Sequence, residues 1–230
     1  MISVVLPAML ADKWQAELAR FAICTMRMKT DIQFELVIVE SGSDVLLEIA
    51  DTHISSGGLT YTQDFNLGVK QCKGDFIVHT AIDILVGDRW LESLLACFDI
   101  PDCGVATLSC TEPGAVIGSK EPANTIIEGM YGPLMMFKRG WLLDEAYPGM
   151  HSDSDLVMRV YQAGFRSYRN HATVCHHLDG VTFKATKSPE QRLRLQQQAD
   201  VLFRARYQNS PLWMAKMILR GGVMYGREHE

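Results

Sequence analysis

Short apolar runs alternate with stretches of helical periodicity along the first half of the chain. Ile2 to Leu6 is rich in β-branched residues and is closed by Pro7, which predicts a buried strand. Asp12 can cap a following helix, in which Trp14, Leu18, Phe21 and Thr25 recur at helical spacing. Phe34 to Val39 predicts a second strand and Val45 to Ile54 a second helix. A third short strand is expected over Leu59 to Thr62. Asn66 to Lys73 then reads as a turn or two of helix stopped by Gly74. Asp75 to His79 predicts a fourth strand, and Asp88 a cap for a helix carrying Trp90, Leu91, Leu94, Leu95 and Phe98.

This alternation implies an α/β fold with a mostly parallel sheet flanked by helices. In such sheets ligands bind outside the carboxyl ends of the strands. Pro7 to Met9, Glu40 to Ser43 and Ala81 to Asp83 are therefore the segments to watch. The middle is less regular. Val105 to Cys110 and Gly132 to Phe137 read as strands, Thr111 to Thr125 as a long loop over the pocket. Ser152 to Gly164 predicts a helix and Arg166 to Val174 a strand. Ser188-Pro189-Glu190-Gln191 combines an N-cap, a proline at the first helical position and a capping glutamine, and its helix extends to about Tyr207.

Composition narrows the class. With 230 residues, 47% hydrophobic and 21% charged, the chain is ordinary globular material. No apolar run reaches the roughly 20 residues needed to span a bilayer. The opening MISVVLPAML has no basic stretch of a secretory leader. The 6 cysteines include no C-x-x-C pair, so free thiols in the cytoplasm are expected. The net charge of -5 argues against a nucleic-acid-coating protein, but it is unevenly spread. Residues 184–230 carry a net +5 and the rest -10. We therefore expect a domain over 1–183 and a basic helical extension over 184–230 packed on it.

Ile2 to Pro7, Val37 to Ser43, Asn66 to Val78, Trp90-Leu91, Gly132 to Arg139, Ser152 to Arg166 and Leu202 to Tyr207, taken in order, resemble segments of inverting family-2 glycosyltransferases of the GT-A fold. Asn66-Leu67-Gly68 through Gly74-Asp75-Phe76-Ile77 is similar to their N-x-G-x-x-x-A-x-G-[DE]-x-[IL]. Ile2 to Pro7 is similar to their first strand, and Val37 to Ser43 to their V-V-D-x-G-S. Trp90-Leu91 is similar to the W-L after their metal motif, and Gly132 to Arg139 to their G-x-x-x-x-x-R-R. Ser152 to Arg166 is similar to E-D-x-D-L-x-x-R-x-x-x-A-G-x-R, and Leu202-Phe203 to Arg206-Tyr207 to a common family tail. The resemblance covers about residues 1 to 207.

Such a family implies sugar transfer from a nucleotide-diphosphate sugar, most naturally a UDP-sugar, to an acceptor hydroxyl. A carboxylate can hold a divalent cation at the diphosphate, and another can deprotonate the acceptor. The resemblance puts Asp83 at the Mn²⁺ or Mg²⁺, with Ala81 replacing the first Asp of the D-x-D and Ile82 between them. Asp153 matches the base and Asp155 the second acid, while Ser152 replaces the family's Glu. The donor pocket is expected to use Pro7, Glu40, Ser41, Asn66, Gly68, Ala81, Ile82 and Gly132. His176 and His177, with Asp179 nearby, fall where many family members place a metal- or diphosphate-binding His. Neighbours on an extended segment point to opposite faces, and His177 is preferred. His151 has no counterpart in the motif. Leu212, Trp213, Met217 and Ile218 with Lys216 and Arg220 form a short amphipathic stretch. It suits a membrane surface carrying lipid-linked acceptors, or acceptor phosphates. The acceptor is left open among a saccharide, a lipid-linked glycan and a modified base of DNA. Ala81 and Ser152 also fit a nucleotide-binding module without transfer activity.

Overall fold

The computed structural model describes residues 1–42, 44–112, 115–117, 125–128, 133–178 and 180–210. Its strands, in chain order, are β1 (Ile2–Met9), β2 (Glu35–Ser41), β3 (Thr52–Ser56), β4 (Phe76–His79), β5 (Ile84–Val86), β6 (Cys103–Glu112), β7 (Ala115–Ile117), β8 (Ile126–Glu128), β9 (Met135–Lys138) and β10 (Arg166–His177). The helices are α1 (Lys13–Met28), α2 (Tyr61–Gln71), α3 (Trp90–Ala96), α4 (Ser152–Gln162), α5 (Val181–Thr186) and α6 (Pro189–Tyr207). All ten strands join one sheet in the order β3-β2-β1-β4-β9-β6-β10-β5, with β7 on β6 and β8 on β10.

The opening apolar run becomes the centre of the parallel part, with β2 on one side of β1 and β4 on the other. The expected mostly parallel sheet is in fact mixed. β9 pairs antiparallel with both β4 and β6, and β5 antiparallel with β10. Strand alternation divides the core. Val4, Leu6 and Ala8 of β1 face α1 and α3, where Ala19, Ile23, Met26, Trp90 and Leu94 pack. Val5 faces α2 and α4, against Phe65, Val69, Leu156 and Val160. A smaller cluster of Tyr147, Met158, Ala199, Phe203 and Tyr207 seats α6.

Pro7 lies within β1 rather than ending it. The pairing of β1 with β4 stops at Val5, so the strand is bonded on one side beyond that point and tolerates a residue without an N–H. Asp12 caps α1 as expected, accepting the Gln15 amide at 2.8 Å. The helix turns a different face inward, however. Gln15, Ala16, Ala19, Ala22, Ile23 and Met26 are buried, while Trp14 and Phe21 are more than half exposed. The expected helix over Val45 to Ile54 is a single 3₁₀ turn, Leu47–Ile49, followed by β3. The Glu40 carboxylate takes the Val45 and Leu46 amides, and Asp51 takes the Leu36 amide, so these groups are spent on a tight strand connection. The strand expected over Leu59 to Thr62 is instead the start of α2, where Thr60 and Gln63 form a capping box. Asp88 does not cap α3. It pairs with Lys29 at 2.6 Å, and Arg89 occupies the cap in the left-handed region at φ 57°. The expected loop from Thr111 begins inside β6 and contains β7. Ser43, Gly132, Asp179 and the amphipathic stretch from Leu212 to Arg220 lie outside the described residues. Among the described residues, no helix is long and apolar enough to cross a membrane.

Gly68 explains how closely α2 approaches the sheet. A Cβ there would lie 2.6 Å from Val5 Cγ1 and 2.9 Å from Val39 Cγ2. We therefore expect Gly68→Ala to cost about 1–3 kcal/mol through overpacking, despite the better helix propensity of alanine. Urea unfolding would measure this, and a variant as stable as the parent would refute the close-packing account.

Candidate functional site

A cleft of about 820 Å³ opens where β1 outruns β4. Its floor is made by Pro7, Met9 and the turn Ala81-Ile82-Asp83. The start of α2 supplies Thr60, Tyr61 and Asp64, and the start of α4 supplies Ser152 and Asp153. Residues of α5 and α6, including Lys184, Lys187, Arg192 and Gln196, form the opposite wall.

Asp83 and His177 are far apart in sequence but meet at one end. Antiparallel pairing of β5 with β10 sets His177 opposite Ile84, and the Leu178 amide donates to the Asp83 carbonyl at 3.0 Å. His177 Nε2 then lies 3.8 Å from Asp83 Oδ2. The neighbouring His176 turns the other way, toward Thr111 Oγ1 at 2.6 Å. A carboxylate oxygen and an imidazole nitrogen are donors that suit part of the shell of a divalent cation. Ala81 lines the cleft without adding a donor, and among the described residues no group of three His, Cys, Asp or Glu is gathered.

Asp153 stands in the first turn of α4, entered through His151 in the left-handed region at φ 60°. Its Oδ1 accepts the Ser154 amide at 2.7 Å. Burial pushes its carboxyl above the usual range, against the opposing pull of that amide and of His151. His151 is tied to α6 by Asp200 at 2.6 Å and stacks on Phe203.

Between these ends lies a buried polar floor. Tyr61 Oη donates to the Thr80 carbonyl at 3.0 Å, so it must accept its second bond, also 3.0 Å, from His79 Nε2. That assigns the His79 proton to Nε2 and leaves Nδ1 bare. Burial pushes the His79 pKa down to about 4, so the ring is neutral at pH 7. Asp64 Oδ2 accepts the Ser41 hydroxyl at 3.1 Å, and burial raises its pKa. His79 Nδ1, Thr80 Oγ1 and Asp64 Oδ1 are buried atoms with no protein partner, clustered beside the cleft. Such atoms are uncommon in folded proteins and concentrate where a ligand or ordered water completes them.

Pro7, Ala81, Ile82, Asp83, Asp153 and His177 thus meet at one cleft. The other expected site residues do not line it. Glu40 is fully buried, and its carboxylate binds the Val45 and Leu46 amides and His53 Nε2. Ser41 sits beneath the floor, bonded to Ser56 and Asp64. Asn66 is a brace. It donates to the Leu143 carbonyl and Glu145, and accepts the Leu143 amide. Gly68 is the close-packing position described above. Asp155 points away from the cleft, fully buried, and accepts Arg159 Nε at 2.7 Å, Arg206 Nη1 at 2.7 Å and Tyr207 Oη at 2.6 Å. Sequence reasoning missed Tyr61, Asp64 and His79. Recognising Thr60-x-x-Gln63 as a capping box would have placed the first two on a helix start facing the strand ends. It also missed the cleft-facing role of Lys184, Lys187 and Arg192, for which the sequence carried only a charge excess.

No protein-family profile matches the chain, and no curated protein matches its sequence. Solved structures do match. TarS of S. aureus is 16% identical over 87% of this chain and 39% of its own, with a TM-score of 0.60. Its 1–349 fragment in complex with UDP-GlcNAc is 18% identical over 87% and 65%, with a TM-score of 0.58. GalNAc-T7, solved with UDP, GalNAc and Mn²⁺, is 12% identical over 78% and 44%, with a TM-score of 0.62. The fold is the GT-A fold. The chain spans 39% of that TarS chain and 44% of that GalNAc-T7 chain.

The Asp155 cluster makes a stability prediction separate from the cleft. Asp155→Asn should cost about 3 kcal/mol, the low end for breaking a buried pair, because Arg206 and Arg159 are partly hydrated. Chemical denaturation should read that loss. A change below about 1 kcal/mol would show that α6 is held by its apolar contacts alone.

Proposed function

We propose that the chain is a glycosyltransferase, moving a sugar from a nucleotide-diphosphate donor, a UDP-sugar, to an acceptor hydroxyl with inversion. The observation that carries this reading is the convergence of Asp83, His177 and Asp153 on one cleft of a GT-A fold. UDP or UDP-GlcNAc in the structures of similar proteins supports the choice of donor. The diphosphate lies at the Asp83 end and the acceptor at the Asp153 end. Asp153 takes the acceptor hydroxyl proton as the acceptor oxygen bonds to the anomeric carbon. The bond from that carbon to the phosphate oxygen breaks, and its electron pair leaves on the diphosphate. Asp83 and His177 would hold a divalent cation, Mn²⁺ or Mg²⁺, whose chemistry there is to neutralise the leaving diphosphate. Tyr61 and the neutral His79 shape the floor and exclude water.

Free thiols at all six cysteines support a reducing, cytoplasmic setting. The acceptor is a hydroxyl compound of open class, on a saccharide, a lipid-linked glycan at a membrane surface or a modified DNA base. Ala81 and Ser152 favour a second reading, a nucleotide-binding module without transfer.

Two measurements test the proposal. Calorimetry should detect UDP binding in the presence of Mn²⁺, weakened in Asp83→Ala. Asp153→Asn should bind UDP like the parent but lower donor turnover, read as UDP release from UDP-sugars, by roughly 10²-fold or more. Binding with no turnover in the parent across many acceptors would move the assignment to the module.

The pH profile tests the base directly. Asp153 acts when ionised, and burial raises its pKa, so activity should fall as the pH drops through a value above the ordinary Asp figure of about 4. The acid limb of kcat/KM should therefore sit above that figure and vanish in Asp153→Asn. A limb at or below about 4 would exclude Asp153 as the titrating group.

A further inference from the structure

The two long walls of the cleft carry opposite charge. Asp64, Asp83 and Asp153 lie on the sheet side, while Lys187 and Arg192 face them from the α5–α6 corner. A diphosphate entering this cleft meets carboxylates on one side and needs positive charge to stay. The position of the first D-x-D acid, which would strengthen a cation shell, is Ala81. Asp83 and His177 bring one carboxylate and one imidazole, with Oδ2 and Nε2 3.8 Å apart.

The chain lines this cleft with cations of its own. α5 begins four residues after His177, and Lys187, which caps its far end, returns to the cleft wall. Arg192 lies one helical turn before Gln196, whose amide is 3.3 Å from His151 Nε2, two residues from Asp153. Lys187 and Arg192 therefore line the same cleft as Asp83, His177 and Asp153. Among the described residues neither side chain is drawn into a salt bridge. A guanidinium and an ammonium suit phosphate oxygens, through charge-assisted hydrogen bonds that need no divalent ion.

We propose that Lys187 and Arg192 hold the donor diphosphate from the α5–α6 wall, supplying the charge that Ala81 no longer helps to recruit. The proposal rests on the donor-site reading above and deepens it. It makes nucleotide binding partly independent of a divalent cation, with affinity shared between the extension and the Asp83 side. The pair touches the phosphates only, so a nucleoside lacking them is indifferent to it.

The test is calorimetric binding of UDP and of uridine to the full chain, in Mn²⁺ and in EDTA, for the parent and for Lys187→Ala/Arg192→Ala. The parent should bind UDP in EDTA within about tenfold of its affinity in Mn²⁺. The double variant should lose at least about tenfold for UDP in EDTA, with uridine unchanged. Arg192→Lys should keep part of the lost affinity, and matching thermal melts would exclude misfolding. UDP affinity in EDTA that ignores the double substitution, or parental binding that disappears in EDTA, would overturn the inference while leaving the donor site intact. A parent that binds neither ligand in either condition would remove the donor-site reading and the inference with it.

Discussion

The arrangement of the cleft depends on one buried carboxylate. Asp155 has no exposed surface and gathers Arg159 from its own helix with Arg206 and Tyr207 from α6. A buried charge is costly alone, but three donors satisfy it, and together they fix the crossing of α6 over α4. Arg206 also reaches Asp144 at 2.6 Å, which ties the loop before α4 into the same knot. Everything that α6 brings to the cleft depends on this crossing. From the knot the helix runs back past Asp200 and Gln196, which touch His151, to Arg192 at the cleft wall. One acid of the motif therefore holds α6 in place, while its neighbour two residues earlier lines the cleft.

The cleft itself comes from a mismatch of strand lengths. β4 stops opposite Val5, but β1 continues to Met9 against β2. The chain leaving β4 turns outward through Thr80 to Asp83, then re-enters as β5 beside β10. Backbone groups that would have been bonded in a longer β4 are met by Tyr61, whose hydroxyl takes the Thr80 carbonyl. The polar atoms left over collect at the same step: His79 Nδ1, Thr80 Oγ1 and Asp64 Oδ1. These three atoms lie beside a cleft, where a bound molecule can offset their cost.

Much of this was legible in the sequence, and the failures share a cause. β1, β2, β4, β6, β10, α4 and α6 were readable because buried strands leave continuous apolar runs and good caps leave short polar signatures. α1 was readable as a helix but not in its orientation, since Trp14 and Phe21 outweigh the alanines that pack on the sheet. The region from Val45 to Thr62 misled because its hydrogen bonds are side chain to backbone. Glu40, Asp51 and Thr60 decide the local structure there, and periodicity does not register them. The resemblance pointed to Asp83, Asp153 and His177, and these three line one cleft. It also carried over Glu40, Asn66, Gly68 and Asp155, whose surroundings are internal. Motifs record positions that a fold needs, and bracing a turn or admitting a close helix is as demanding as touching a ligand.

The division of charge along the chain has a spatial meaning at the cleft. Residues 184–230 carry a net +5 and the remainder -10, a split that by itself says only that the two parts attract. In the structure that attraction is used at two levels. At the base of α6 it is short-ranged and closed, with Arg206 locked onto Asp144 and Asp155. At the cleft the two charges share one space, where Lys187, Arg192, Asp83 and Asp153 all line a volume of about 820 Å³. An anion entering this cleft can pair with the basic side chains of the α5–α6 corner. The closed ion pairs at the base of α6 hold that corner against α4, so the same helix that packs through its base presents charge at its start.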